Sequence, residues 1–128
     1  MTVLLYAKAG DPCRDDLRQR IQVGVPGIEV EACEIPGNLS RRLSDPGQNP
    51  SLVILLFENR GELAEILPVR HWLQDISIIL IVPDRTPETI ALAHQLRPRF
   101  LAYRQDDFST VAAVVGRMLK IRAEEPPL

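Results

Sequence analysis

Five short apolar segments, separated by stretches of helix-like sequence, are the feature that most constrains this fold. The third and fourth segments are continuous runs of Ile, Leu and Val, which is typical of parallel strands buried on both faces. Strands that alternate with helices predict an α/β fold with right-handed crossovers, a doubly wound five-stranded parallel sheet between two helical layers. The five segments span residues 3–7, 28–33, 52–57, 76–82 and 100–103.

The second segment differs from the others because acidic residues alternate with apolar ones along it. Glu29 and Glu31 stand between Ile28, Val30 and Ala32, a pattern that predicts a strand with one exposed face near an edge of the sheet. We therefore expect the strand order 2-1-3-4-5. In sheets of this kind a ligand binds beyond the carboxyl ends of the strands, next to the switch point between strands 1 and 3.

The segments between the strands predict helices with recognisable ends. Asp11 can cap the first helix with Pro12 in its first turn, and Thr86 begins the fourth helix ahead of Pro87. Pro68 removes a backbone hydrogen bond, so we expect two short helical pieces around it. The predicted helices span residues 11–23, 38–44, two pieces within 61–74, 86–96, and a last helix that Asp107 caps.

Composition is that of one ordinary globular domain, which we place at residues 1–123 with a flexible tail at 124–128. The chain has 128 residues, 45% of them hydrophobic and 25% charged, with a net charge of -2. No basic surplus is available to neutralise phosphates, so nucleic acid is not an expected partner. No apolar run approaches the ~20 residues of a membrane span, and no secretory signal is recognisable, so we expect a cytoplasmic location and reduced thiols.

The order and spacing of these elements resemble the receiver domains of bacterial response regulators, over about residues 1 to 123. This resemblance implies a flavodoxin-like, receiver-like three-layer sandwich. Receivers carry an acidic pair after strand 1, a phosphate-accepting aspartate at the end of strand 3, a hydroxyl residue after strand 4 and a lysine after strand 5. The corresponding positions here are Ala7 and Lys8, Leu56 or Phe57 with Glu58 after it, Val82 or Pro83, and Arg104.

The departures remove the chemistry that the resemblance would otherwise imply. Mg²⁺ prefers oxygen ligands, and phosphoryl transfer needs its charge as well as a positioned acceptor. Ala7, Lys8 and Leu56 or Phe57 supply neither. The sequence therefore predicts a degenerate receiver that is not an enzyme, needs no cofactor or metal, and serves bacterial signalling or regulation by binding a protein.

Receivers commonly pair or dock through helix 4, strand 5 and helix 5, so the resemblance predicts a protein contact there, with a homodimer as its simplest form. The identity of the partner stays open. Carried over by position, the interaction face comprises Ile90, His94, Arg97, Tyr103, Arg104, Val114 and Met118.

Two further hypotheses concern charged residues at the same end of the sheet. Asp11, Glu58, Asp84 and Asp106 all follow strands, so a displaced metal site is conceivable, although acids at helix starts ordinarily serve as caps. A plainer hypothesis is that Lys8 and Glu58 approach each other and replace the lost metal network. Whether a small ligand binds above this pair stays open as well.

Cys13 supports an alternative of a different class, a small thiol-dependent, glutaredoxin-like redox enzyme that uses this cysteine. The stretch from Leu4 to Cys13 resembles the opening of a glutaredoxin, in which a strand leads to a reactive cysteine at a helix start. Asp11 stands in the region where the first, nucleophilic cysteine is expected, which favours a structural thiol. We expect the same for Cys33, and solvent-facing positions for His71 and His94, while Trp72 is expected in the core or an interface.

Overall fold

A parallel five-stranded sheet forms the centre of the protein, with strand order β2-β1-β3-β4-β5. The computed structural model describes residues 2–45, 47 and 49–124, with side chains up to residue 120. The predicted fold class and strand order are confirmed, and β2 is an edge strand as its alternating sequence indicates. The strands are β1 (Thr2–Tyr6), β2 (Glu29–Cys33), β3 (Leu52–Leu56), β4 (Ile78–Val82) and β5 (Phe100–Tyr103).

Helices cover both faces of this sheet. The predicted break at Pro68 is confirmed, because α3 ends at Ile66 and a 3₁₀ helix, Leu67–Leu73, continues the chain. Among the described residues, no helix is both long and apolar enough to span a bilayer. The helices are α1 (Arg14–Gly24), α2 (Pro36–Leu43), α3 (Arg60–Ile66), α4 (Pro87–His94) and α5 (Phe108–Glu124).

Alternate residues of each central strand enter different cores. On one face Leu52, Ile54 and Leu56 of β3 pack with α1 and α5. On the other face Val53 and Leu55 pack beneath α2, α3 and α4. Because side chains alternate along a strand and both faces are covered, both sets are apolar, which explains the continuous runs in the sequence.

Helix ends follow the sequence at some places and depart from it at others. Thr86 accepts a hydrogen bond from the Thr89 N–H and Asp107 accepts one from the Ser109 N–H, so both predicted caps are confirmed. The start predicted for α1 at Asp11 is wrong, since the helix begins at Arg14; Asp11 accepts a hydrogen bond from the Cys13 N–H in the turn before it, and its carboxylate also binds Arg104.

The ends of α4 and α5 also differ from the prediction. Helix α4 ends at His94 rather than near Leu96, because Arg97 adopts φ 51° ahead of Pro98. Helix α5 extends to Glu124, and the remainder of the predicted tail, residues 125–128, lies outside the described residues.

Candidate functional site

The carboxyl ends of β1, β3 and β5 meet at one edge of the sheet, where a ligand would bind in a fold of this kind. Three loops lie there: residues 7–13 after β1, residues 57–59 after β3 and residues 104–107 after β5. Because β2 is added on one side of β1 while β3, β4 and β5 are added on the other, this is also the switch point of the topology. The side chain that joins all three loops is that of Arg104.

Arg104 and Asp11 form a bidentate ion pair at this edge. Arg104 Nη1 donates to Asp11 Oδ2 at 2.8 Å and Nη2 donates to Oδ1 at 2.9 Å. The carboxylate side chain of Asp11 is fully buried and that of Arg104 is 11% exposed. Such paired hydrogen bonds between a guanidinium and a carboxylate are the strong, geometrically specific kind.

The same guanidinium makes two more contacts. Nη1 donates to the Phe57 carbonyl oxygen at 3.2 Å, at the end of β3, and Nη2 lies 3.2 Å from Cys13 Sγ. The hydrogen bonds to Asp11, opposed by burial, raise the pKa of Arg104 above its usual value. Arg104 therefore stays charged and ties the loop after β1 to the end of β3.

Asp11 is fixed from its own loop as well. Its Oδ1 accepts a hydrogen bond from the Cys13 N–H at 2.9 Å. Both carboxylate oxygens are thus engaged by donors, two from Arg104 and one from the backbone. The sequence reveals Asp11 as a polar residue before a helix, but a partner 93 positions away leaves no local signal.

Four of the positions singled out in the sequence at the strand ends carry buried apolar side chains. Ala7, Leu56 and Phe57 are all fully buried, and so is Val82 at the end of β4. The Phe57 ring packs against that of Tyr6 with a centroid separation of 6.1 Å. Pro83 is partly buried, and its carbonyl oxygen accepts a hydrogen bond from Gln105 Nε2.

The predicted pair of Lys8 and Glu58 is wrong. Lys8 Nζ lies 3.2 Å from Glu65 Oε2 in helix α3, and the two side chains are 40% and 48% exposed. Glu58 is exposed, and its backbone N–H donates to the buried Glu62 carboxylate, which caps the turn into α3. The loop after β3 is therefore organised by Glu62, while Lys8 reaches one turn further along α3.

Three of the four acids of the hypothetical displaced metal site have separate roles. Asp84 accepts hydrogen bonds from Thr86 N and Oγ1, and these hydrogen bonds lower the pKa of Asp84. Asp106 accepts from the Tyr103 N–H and from Arg85, and Asp11 is held by Arg104. Within the described part of the chain, no three His, Cys, Asp or Glu side chains are grouped as metal ligands.

Tyr6 is a site residue that the sequence reasoning missed. Its side chain is fully buried, and its hydroxyl has no hydrogen-bond partner among the described residues. Burial, reinforced by the nearby Glu65 and Glu62 carboxylates, raises the pKa of Tyr6 to about 12. The only sequence signal is a tyrosine within an otherwise apolar strand.

The predicted interaction face is only partly at the surface. His94 and Arg97 are exposed, while Ile90, Tyr103 and Met118 are partly buried. Val114 is a buried core residue on the α1 and α5 side, and the guanidinium of Arg104 is engaged by Asp11, so neither of these two side chains is available as a docking surface.

The remaining residues with a predicted environment are placed as follows. His71 and His94 are exposed, as expected. Trp72 is 39% exposed and lies against His71, so it is a surface residue rather than a core one. Cys13 is partly buried and Cys33 is buried, and burial raises the pKa of the Cys33 thiol.

Comparison with known proteins finds similar structures but no similar sequences. The sequence matches no protein-family model and no curated protein. A CheY-like response regulator from Mesorhizobium loti is similar, with a TM-score of 0.72 at 17% identity over 91% of this chain and 97% of that one. The receiver domain of a modulated diguanylate cyclase from Desulfovibrio desulfuricans gives 0.70 at 18% identity, covering 97% and 98%.

A third structure extends the same result. The receiver domain of a DNA-binding response regulator from Colwellia psychrerythraea gives a TM-score of 0.72 at 13% identity, covering 94% of this chain and 98% of that one. The chain therefore has the receiver fold. A glutaredoxin-like fold is not favoured, because β5 pairs in parallel with β4 and forms no antiparallel hairpin.

Proposed function

We propose that this receiver-like domain is a protein-interaction module of cytoplasmic bacterial signal transduction that works without phosphorylation. The observation that carries the proposal is the Asp11–Arg104 ion pair, which occupies the loop junction above β1 and β3. A protein cation with its own buried carboxylate takes the place that an acidic cage for Mg²⁺ would need. The proposal assigns the domain no catalytic role.

Two physical arguments support independence from phosphorylation. Phosphoryl transfer to a carboxylate needs an accessible oxygen and a compensating cation, but both oxygens of Asp11 are held by Arg104. The end of β3 presents Leu56 and the buried ring of Phe57, and neither side chain can accept a phosphoryl group. The conformation that phosphorylation selects in receivers would here be chosen by the fixed ion pair.

The docking surface under this proposal is what remains exposed around α4 and β5. His94 and Arg97 are exposed, and Tyr103 is partly exposed with Arg85 stacked on its ring, 3.6 Å from the centroid. Arg104 follows Tyr103 directly, so the ion pair fixes the backbone on which this surface is built. Aromatic and arginine side chains are those most enriched among residues that dominate binding at protein interfaces.

The experiment that tests this function is affinity capture from the host, with and without a small phosphodonor and Mg²⁺. We expect the same specific partner in both conditions, retained by the wild type and by Ile35→Glu, and lost with Tyr103→Glu. Ile35 is a matched control because it is an exposed apolar residue, 51% exposed, on a different part of the surface. A partner that binds only after phosphodonor treatment would overturn the proposal.

A further inference from the structure

A surface groove lies between α1 and α5, away from the site described above. Its volume is about 560 Å³. Small residues shape it: a Cβ on Gly24 would lie 3.2 Å from that of Ala112, so the two helices approach closely and leave an opening beside Ala113. The groove is lined by Asp16, Gln19, Arg20, Val23, Gly24, Ser109, Ala112 and Ala113.

An apolar side chain stands at the edge of this groove. Val23 is 73% exposed, more than Ile35 or Trp72, the two other large apolar residues that are exposed in the described part of the chain. A protruding Val23 next to a recess walled by Ala112 and Ala113 gives one face both a knob and a hole. A two-fold axis through such a face lets each copy fill the recess of the other.

The charges along the groove are arranged in the same self-complementary way. Both helices start at the carboxyl edge of the sheet, where Asp16 and Asp107 share Arg20, so two carboxylates against one guanidinium leave a net negative charge. Towards the other end, Arg117 follows Ala113 by one turn on the exposed side of α5. A two-fold axis perpendicular to the helices would bring Asp16 of each copy towards Arg117 of the other.

We propose that the face formed by α1 and α5 binds a second copy of this chain, with Val23 near the two-fold axis and Asp16 opposite the partner's Arg117. The charge pattern favours a second copy over a different protein, since one face supplies both signs in the required order. Self-association is thereby assigned to the α1–α5 face rather than to α4 and β5, which stay accessible to a different protein. This inference goes beyond the proposed function and does not depend on it.

Sedimentation equilibrium of the full chain from micromolar to millimolar concentration is the first test. We expect a monomer–dimer equilibrium, with the dissociation constant raised about tenfold or more by Val23→Asp. Val23 is mostly exposed, so this change should leave the circular dichroism spectrum intact. Ile35→Asp is the matched control, since it charges an exposed apolar residue elsewhere and should leave the dimer unchanged.

A charge exchange provides a second test that does not rely on Val23. Asp16→Lys and Arg117→Glu should each weaken the dimer, while the double variant should restore most of the lost affinity because the signs match again. Misfolding would not produce such recovery. A chain that is monomeric at all concentrations, or a dimer that Tyr103→Glu dissociates and Val23→Asp does not, would overturn the proposal.

Discussion

The Asp11–Arg104 pair is buried enough that removing one partner should destabilise the fold strongly. Breaking a buried ion pair on one side typically costs about 3–5 kcal/mol, because the remaining charge stays without compensation. Asp11→Asn keeps an oxygen for the Cys13 N–H but leaves the guanidinium unpaired, and Arg104 can turn towards solvent, so we expect about 3 kcal/mol. Arg104→Met leaves a fully buried carboxylate, so its cost should lie nearer 4 kcal/mol.

The double variant measures how strongly the two side chains are coupled to each other. If the two costs were independent, Asp11→Asn with Arg104→Met would lose about 7 kcal/mol, much of the 5–15 kcal/mol that stabilises a typical domain. We expect about 3–4 kcal/mol instead, since the second change removes the charge that the first one left unpaired. Urea denaturation followed by circular dichroism and by the fluorescence of Trp72 measures each value.

Arg20 with Asp107 is the matched control. This pair has a similar distance, 3.2 Å, but its side chains are 44% and 67% exposed, so the coupling between the two residues should be at most about 1 kcal/mol. Single variants of Asp11 and Arg104 that each cost less than about 1 kcal/mol, or costs that simply add, would refute the reasoning.

Three smaller predictions concern single residues. Tyr6→Phe should raise the free energy of unfolding by about 1–3 kcal/mol, because it removes a buried hydroxyl without a partner, while Tyr103→Phe should change little. Folding raises the pKa of Tyr6 from 10.0 to about 12, so the unfolded chain ionises first as the pH rises. The free energy of unfolding of the wild type should therefore fall by up to about 3 kcal/mol between these pH values, while that of Tyr6→Phe should not. Equal pH profiles of the two proteins in urea titrations would contradict this. Arg97→Gly should stabilise by roughly 1 kcal/mol in thermal melts, because Arg97 has φ 51°, whereas a loss would show that its side chain matters more than its backbone. Thr86→Ala should cost about 1 kcal/mol by removing the cap of α4, with Thr86→Ser close to wild type; an unchanged melting temperature would contradict the capping role.

The fold was predictable from the sequence because its signals are local and repeated. Continuous apolar runs identified β3 and β4, and the acidic alternation at Glu29 and Glu31 placed β2 at an edge. Pro68 marked the change from α3 to the 3₁₀ helix. Each of these signals follows from a backbone period or from the missing N–H of proline, so none requires knowledge of distant contacts.

The site was predictable only in outline. The resemblance to receivers singled out Arg104, but Asp11 was interpreted only as a helix cap because a carboxylate before a helix has that common local role. Its side-chain partner, Arg104, stands in the loop after β5 and is brought to Asp11 only by the fold. Lys8 pairs with Glu65 rather than Glu58, and this partner too depends on how α3 is placed in the fold. Val114 occupies a buried turn of α5, which periodicity alone left ambiguous.

The central claim, that the domain works without phosphorylation, is tested most directly by exposing the protein to a small phosphodonor and Mg²⁺ and measuring its intact mass. A parallel beryllofluoride titration is followed by amide NMR. A receiver domain that accepts phosphoryl groups serves as the positive control. The ion pair predicts no mass gain, and no saturable shifts at Asp11, Phe57 or Arg104, under conditions that fully modify the control. A phosphoryl adduct on this chain, or saturable beryllofluoride shifts at these three residues, would contradict the account.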